Sequence, residues 1–303
     1  MKKYREDIAT VLRGVLMGSA NVVPGVSGGT VALIVGIYGR LINAIGAFDL
    51  KLIDLLTKGK WRKAAEHVDL RFLAALGLGA GAAVVSLAKL LTWLILNKPI
   101  PTWSLFFGLI LASAWHVSGF IKRWNGSVLA AAAVGAAFAY WISGLLPGET
   151  AKTYMSLFFA GVVSISAMIL PGISGSFILV VLGKYRMVLE AIHQFELPVL
   201  VVFGLGCAIG LIAFAKLLKF LIRHWEPETM ALLCGLMAGS LRKIWPFKIE
   251  APGQELLKAK HRIYVNFLPD TFDETVVWAI AMVIVGAAMV VLVERLAGER
   301  KGR

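Results

Sequence analysis

Residues 14–45, GVLMGSANVVPGVSGGTVALIVGIYGRLINAI, and residues 161–192, GVVSISAMILPGISGSFILVVLGKYRMVLEAI, align without a gap at an offset of 147. Twelve of the 32 positions are identical, among them Pro24/Pro171, Gly25/Gly172, Ser27/Ser174, Gly28/Gly175, Gly36/Gly183 and Tyr38/Tyr185. Chance likeness between apolar segments shares Leu, Val and Ala; shared Pro, Gly, Ser and Tyr mark a duplication. A second match runs at an offset of 127, LGLGAGAAVVSLAKLLTWLI (76–95) against FGLGCAIGLIAFAKLLKFLI (203–222), with Lys89 over Lys216. It continues through GLILAS at 108–113 and GLMAGS at 235–240. The drop of 20 in offset marks an insertion in the first half at about 48–70.

The chain around these repeats has 303 residues, 58% of them hydrophobic and 16% charged, with a mean hydropathy of +0.78. Soluble domains carry about 25% charged residues, so this chain cannot cover a water-soluble surface. A soluble enzyme, a nucleic-acid binder and a disordered chain are excluded. Each hydrocarbon crossing takes about 20 apolar residues. The expected fold is an all-α polytopic membrane protein of two repeats, 1–148 and 149–303, each a helical hairpin followed by three spans. The first repeat holds a hairpin at 8–47, the insertion at 48–70, and spans at 72–96, 102–121 and 127–146. The second holds a hairpin at 154–192 and spans at 199–222, 228–245 and 275–293. An arm such as 8–23 is short for a crossing, so the hairpins are expected to be re-entrant. The insertion mixes Leu, Ile and Trp with Lys and reads as an interfacial cytoplasmic helix.

Charge sets the orientation. With the N-terminus inside, the inner segments 1–13, 48–71, 122–126, 219–227 and 294–303 carry 18 Lys and Arg, and the short outer loops carry two, Lys98 and Lys152. The 242–274 loop, with six basic and five acidic residues, weakens this contrast without reversing it. Both termini are therefore expected in the cytoplasm. Three crossings per half is an odd number, so the halves are expected to be inverted repeats, an architecture of alternating-access transporters. The formal charge of +13 points to cytoplasmic loops and anionic membrane lipids rather than nucleic acid. Arg13 interrupts the first apolar run and no A-x-A site follows, so the N-terminal segment is expected to be retained. Cys207 and Cys234 have no metal or redox spacing; no metal and no cofactor is expected.

The repeated motif is a helix breaker followed by residues that tolerate unusual backbone. Pro24, Gly25, Ser27, Gly28, Gly29 and Thr30 form the first copy, with Ser27 placed as an N-cap. Pro171, Gly172, Ser174, Gly175 and Ser176 form the second. At membrane depth, irregular backbone survives where it lines a cavity or is buried in protein. Freed N–H groups and hydroxyls there make an anion site suited to phosphate. The competing reading is a tight turn whose glycines merely permit close packing.

Ionisable groups inside membrane segments are costly and usually functional. Counting Arg13 and Lys219 with the inner segments and 242–274 as a loop, five basic residues remain inside apolar segments: Arg40, Lys89, Lys184, Arg186 and Lys216. Glu190 is the one acid of 18 there. Lys184 and Arg186 are expected toward the outside, against the positive-inside trend, where they would recruit an anionic headgroup; Arg40 would receive it inside. Lys89 and Lys216 serve gating or simply snorkel. Glu190 carries a coupling proton or pairs with Arg186, one helical turn away.

At these residues the chain resembles the bacterial PopT-type polyprenyl-phosphate translocases, formerly a domain-of-unknown-function family. Both PGxSGG/S segments and the helices after them carry the resemblance, which covers nearly the whole chain. It implies a bacterial cytoplasmic-membrane transporter, not an enzyme. Its substrate would be undecaprenyl phosphate, returned from the outer to the inner leaflet for cell-envelope synthesis. Composition and spacing alone stop at a transporter for an anion. A transporter for a small soluble anion stays open. So does an undecaprenyl-pyrophosphate phosphatase, although Gly28 and Gly175 stand where that family's PGxSRS-type loop carries Arg. Oligomeric state is not legible.

Overall fold

The computed structural model describes residues 2–22, 27–146, 148, 150–151, 153–250 and 264–298. The first half runs α1 (Lys2–Val22), α2 (Gly28–Ile34), α3 (Tyr38–Gly46), α4 (Leu50–Thr57), α5 (Trp61–His67), α6 (Leu70–Asn97), α7 (Pro99–Ser118) and α8 (Gly126–Ser143). The second runs α9 (Tyr154–Ile169), α10 (Gly175–Val181), α11 (Tyr185–Gln194), α12 (Leu197–His224), α13 (Glu226–Ser240), β1 (Lys248–Glu250), β2 (Tyr264–Asn266) and α14 (Glu274–Gly298). Apart from α4, α5 and the β-ribbon, the two halves have the same order of elements.

The repeated residues build the same local turn twice. Gly36 and Gly183 take φ of +69° and +67°, a left-handed conformation suited to glycine. Ile37 N–H then donates to the carbonyl of Ala32, and Lys184 N–H to that of Leu179, both at 2.9 Å. Each is the long bond of a Schellman turn, closing α2 and α10 after two turns of helix. Tyr38 and Tyr185 open the next helix in each half.

Four seams hold the helices together. Within the halves α1 lies along α6 and α9 along α12; between the halves α8 lies along α13 and α7 along α14. Small residues set these distances: a Cβ on Gly79 would fall 2.1 Å from the carbonyl of Val11, and one on Gly206 would fall 2.2 Å from that of Phe158. Gly235 and Gly108 do the same on the two seams between the halves. Backbone-to-backbone approach of this kind is how helices associate where lipid offers no hydrophobic drive. The core between the halves buries Leu33, Ile42, Ile110, Ile173 and Met237, while Leu78, Val85, Leu205 and Ile284 face outward. An apolar outer surface is what a bilayer solvates. Five described helices are long and apolar enough to cross a membrane, with windows at Leu70–Leu87, Pro99–Ser118, Gly126–Ser143, Leu197–His224 and Glu274–Val293.

Four expectations need correction. The expected span 228–245 stops at Ser240: α13 has 15 residues, about 22 Å of helix against the ~30 Å hydrocarbon. Residues 241–244 turn, and Arg242, Lys243 and Pro246 end the apolar run. The arm at 8–23 belongs to a longer helix, since α1 is continuous from Lys2 over 21 residues. The insertion is two helices rather than one, because Gly59 at φ +65° ends α4. The fold is nearly all-α, not wholly so: β1 and β2 pair antiparallel, Lys248 opposite Asn266 and Glu250 opposite Tyr264.

Candidate functional site

The two motif turns meet inside the protein. Pro24 and Gly25 lie outside the described residues, but the rest of the first turn is packed against the second. Ser27 is extended (φ −112°, ψ 139°) and caps α2, its hydroxyl accepting the Gly29 N–H at 3.0 Å. The same hydroxyl donates to the carbonyl of Met168 at 3.0 Å. Thr30 accepts the Gly172 N–H at 3.1 Å, and Tyr38 donates to the carbonyl of Ile169 at 3.3 Å. Gly172 reaches this geometry at φ +85°. Gly29 is glycine because a Cβ would fall 2.3 Å from the Ile169 carbonyl, and Gly175 because one would fall 2.6 Å from that of Ser164. Pro171 is buried beside them.

The turns are not equivalent. Ser174 also caps a helix, α10, but makes no side-chain cap bond; its hydroxyl pairs with that of Ser176 at 2.8 Å. Gly28 N–H donates to the side-chain carbonyl of Asn21 at 2.8 Å, a partner that sequence reasoning missed. A Cβ on Gly28 would strike Asn21 and Met17, so a bulky residue there disrupts packing whatever the turn binds. A narrow cleft of about 10 Å³ opens on the second turn, lined by Ser143, Gly172, Ser174, Phe177, Ser240 and Lys243.

The basic residues fall in different places. Arg40 lines a separate cleft of about 390 Å³ with Glu6, Asp7, Asp69 and Arg71. Its guanidinium donates to Asp69 at 2.6 Å and Glu6 at 3.0 Å and lies 4.4 Å over the Phe72 ring. Arg71 pairs with Asp7 in the same cluster. Lys184 is buried, 1% exposed, with its ammonium on the carbonyls of Thr150 and Ala151. That placement, with Gly148 N–H on the Val181 carbonyl and the Thr150 hydroxyl on that of Leu182, ties residues 148, 150 and 151 onto the end of α10 and withdraws the charge from the surface. Arg186 and Glu190 are exposed and pair at 3.7 Å, the simpler of the two readings of Glu190. Lys89 and Lys216 are exposed on α6 and α12.

A second basic group escaped the sequence reading. Lys243 lies 4.3 Å over the Phe177 ring, Arg242 lies 4.3 Å over Tyr140 and donates to its carbonyl at 3.1 Å, and Lys248 lies 4.1 Å over Trp103. Burial foremost, and then the charge of Lys243, lower the Lys248 ammonium to a pKa of about 7. The signal was available: the 127-offset match ends at Ser240, and two residues later the chain carries Arg242-Lys243. Treating 242–274 as a loop set them aside.

Among the described residues no His, Cys, Asp and Glu group could hold a metal ion. The fold and the paired turns define a nearly all-α polytopic membrane protein built around two copies of one motif. The chain belongs to the undecaprenyl phosphate translocase-like (VCA0040-like) family, which it matches over residues 17–260. It is 39% identical over 293 residues, 95% of each chain, to a Vibrio cholerae protein named polyprenyl-phosphate transporter. A Staphylococcus aureus protein of the same name is 33% identical over 255 residues, covering 78% of this chain and 85% of its own. No solved structure matches.

Proposed function

We propose that this protein carries a polyprenyl phosphate, undecaprenyl phosphate, from the outer to the inner leaflet of the bacterial cytoplasmic membrane. The observation that carries the reading is the meeting of the two motif turns across the halves, in a chain whose relatives bear the name polyprenyl-phosphate transporter. In this reading the halves 1–148 and 149–303 are inverted repeats and the hairpins re-enter from opposite sides. The seams α8 with α13 and α7 with α14, which exchange partners between the halves, support that symmetry. Both termini lie in the cytoplasm, as the basic asymmetry favours.

The headgroup is held near the paired turns by Ser174 and Ser176, with Ser27 and Thr30 bracing the opposite side. Alternating access then requires one mouth to close while the other opens. The Arg40, Glu6, Asp69, Arg71 and Asp7 cluster closes the first mouth. The cleft at Ser174 lies toward the second. In this reading the chain acts by binding and movement rather than by bond cleavage, as the transporter name of its relatives favours. In cells that rely on this protein alone for carrier return, its depletion should enlarge the outer-leaflet pool of undecaprenyl phosphate. A membrane-impermeant phosphate-binding reagent reads that pool. An outer pool that stays constant through depletion would contradict the direction assigned.

A further inference from the structure

We propose that Lys243 is the cation that binds the phosphate monoester headgroup at the second motif turn, between Phe177 and the hydroxyls of Ser143, Ser174 and Ser240. This rests on the transporter reading and adds the binding residue that reading lacks. The restarted helix α10 has seven residues, too short to supply a strong positive end, and Lys184 is engaged by carbonyls. A dianionic headgroup at Ser174 therefore needs a cation from elsewhere. Lys243 lines the same cleft as Ser174.

Its surroundings hold it there. The turn after α13 is closed by Lys243 N–H on the Ser240 carbonyl at 2.9 Å. Asn266 donates to the carbonyl of Arg242 at 2.7 Å and Lys248 to that of Lys243, so the β-ribbon grips the backbone on both sides. Ile244 is fully buried next to it. The backbone is thus fixed while the ammonium stays available. Among the described residues no carboxylate lies within ion-pair distance of Lys243, whereas Arg40, Arg71 and Arg186 each pair with an acid. Its ammonium lies over the Phe177 ring. A cation–π contact is weaker than a charge-assisted bond to phosphate, so an arriving headgroup takes the ammonium from the ring. Displacing Phe177 also widens a cleft that is narrow as packed. At the offset of 127 that aligns α7 with α13, the counterpart of Lys243 is His116. The lysine is thus not demanded by the repeat.

The test measures binding of three probes to the purified full chain in lipid nanodiscs: undecaprenyl phosphate, undecaprenol and inorganic phosphate. Lys243→Gln should weaken undecaprenyl phosphate about tenfold to a hundredfold and leave undecaprenol unchanged, while Lys243→Arg stays within a few-fold of the parent. Melting of each variant checks that it folds. If Lys243→Gln binds the phosphate lipid like the parent, or loses both lipids together, the assignment is overturned. If the parent binds inorganic phosphate as tightly as the lipid and Lys243→Gln loses both, the cation stands and the lipid reading falls. If the parent does not distinguish phosphate from alcohol, both fall.

Discussion

Ser27 and Ser174 occupy the same position in the two turns, yet their hydroxyls do different work. Ser27 is 1% exposed and serves two backbone partners from opposite halves. Ser27→Ala leaves the Met168 carbonyl and Gly29 N–H short of a partner, and an unsatisfied buried group costs about 1–3 kcal/mol. Ser174→Ala releases only a neighbouring hydroxyl and should cost about 1 kcal/mol or less. Melting in detergent micelles should rank Ser27→Ala well below Ser174→Ala; equal melting would mean that the bonds between the turns add nothing. Lys248 gives a pH signature. In the unfolded chain it protonates near pH ~10.4, but in the fold only near pH 7. The unfolded chain therefore binds more protons between those values, and stability should rise with pH across about 7 to 10. Lys248→Met should flatten that rise; an unaltered rise would assign it to another group. The cap at Ser27 was legible in the sequence because N-cap chemistry is local. Asn21 was not, because it meets Gly28 only through packing; Lys243 stood in view beside the end of the 127-offset match, but packing alone brings it to Phe177.

The elements most exposed to correction are those bounded by charge. The Pro-Gly-x-Ser-Gly copies and the glycines at 36 and 183 marked where α2 and α10 begin and end. Apolarity alone could not place the end of α13, because the apolar run outlasts the helix and a turn with two cations sits at its edge. The β-ribbon was equally hidden, since KIE and YVN are three-residue strands whose partners lie 14 or more positions apart in the chain. Arg40 shows what an element-scale arrangement changes. In the sequence it is a lone cation in an apolar hairpin; in the fold it joins α3 to Glu6 of α1 and to Asp69, the residue before α6. Exposed pairs of this kind contribute about 1 kcal/mol or less, so Arg40→Gln should barely move the melting temperature. Its effect should be on access. Thr10 lines the same cleft and is 3% exposed. A cysteine at position 10 should react with an impermeant maleimide several-fold faster in the Arg40→Gln background. Unchanged reactivity would mean that the cluster closes nothing.

At the scale of the whole molecule, the internal repeat foretold the shared order of elements, while the pairing of α7 with α14 and α8 with α13 lay beyond it. Helical faces rich in small residues look alike in sequence, and which face meets which is decided by three-dimensional fit. The orientation is a separate claim with its own check. Cysteines placed at 122–126 should be labelled from the cytoplasmic side and cysteines at 150–151 from the outer side; the reverse pattern would overturn the inverted arrangement. The central claim is that this chain alone moves a phosphate-bearing polyprenyl lipid across a bilayer. Its most direct test is the transbilayer movement of undecaprenyl phosphate in liposomes containing only the purified protein. The account predicts movement well above protein-free vesicles, reduced about tenfold or more by Lys243→Gln at sub-saturating lipid and absent for undecaprenol. Movement no faster than in protein-free vesicles, or equal movement of the phosphate and the alcohol, would contradict it.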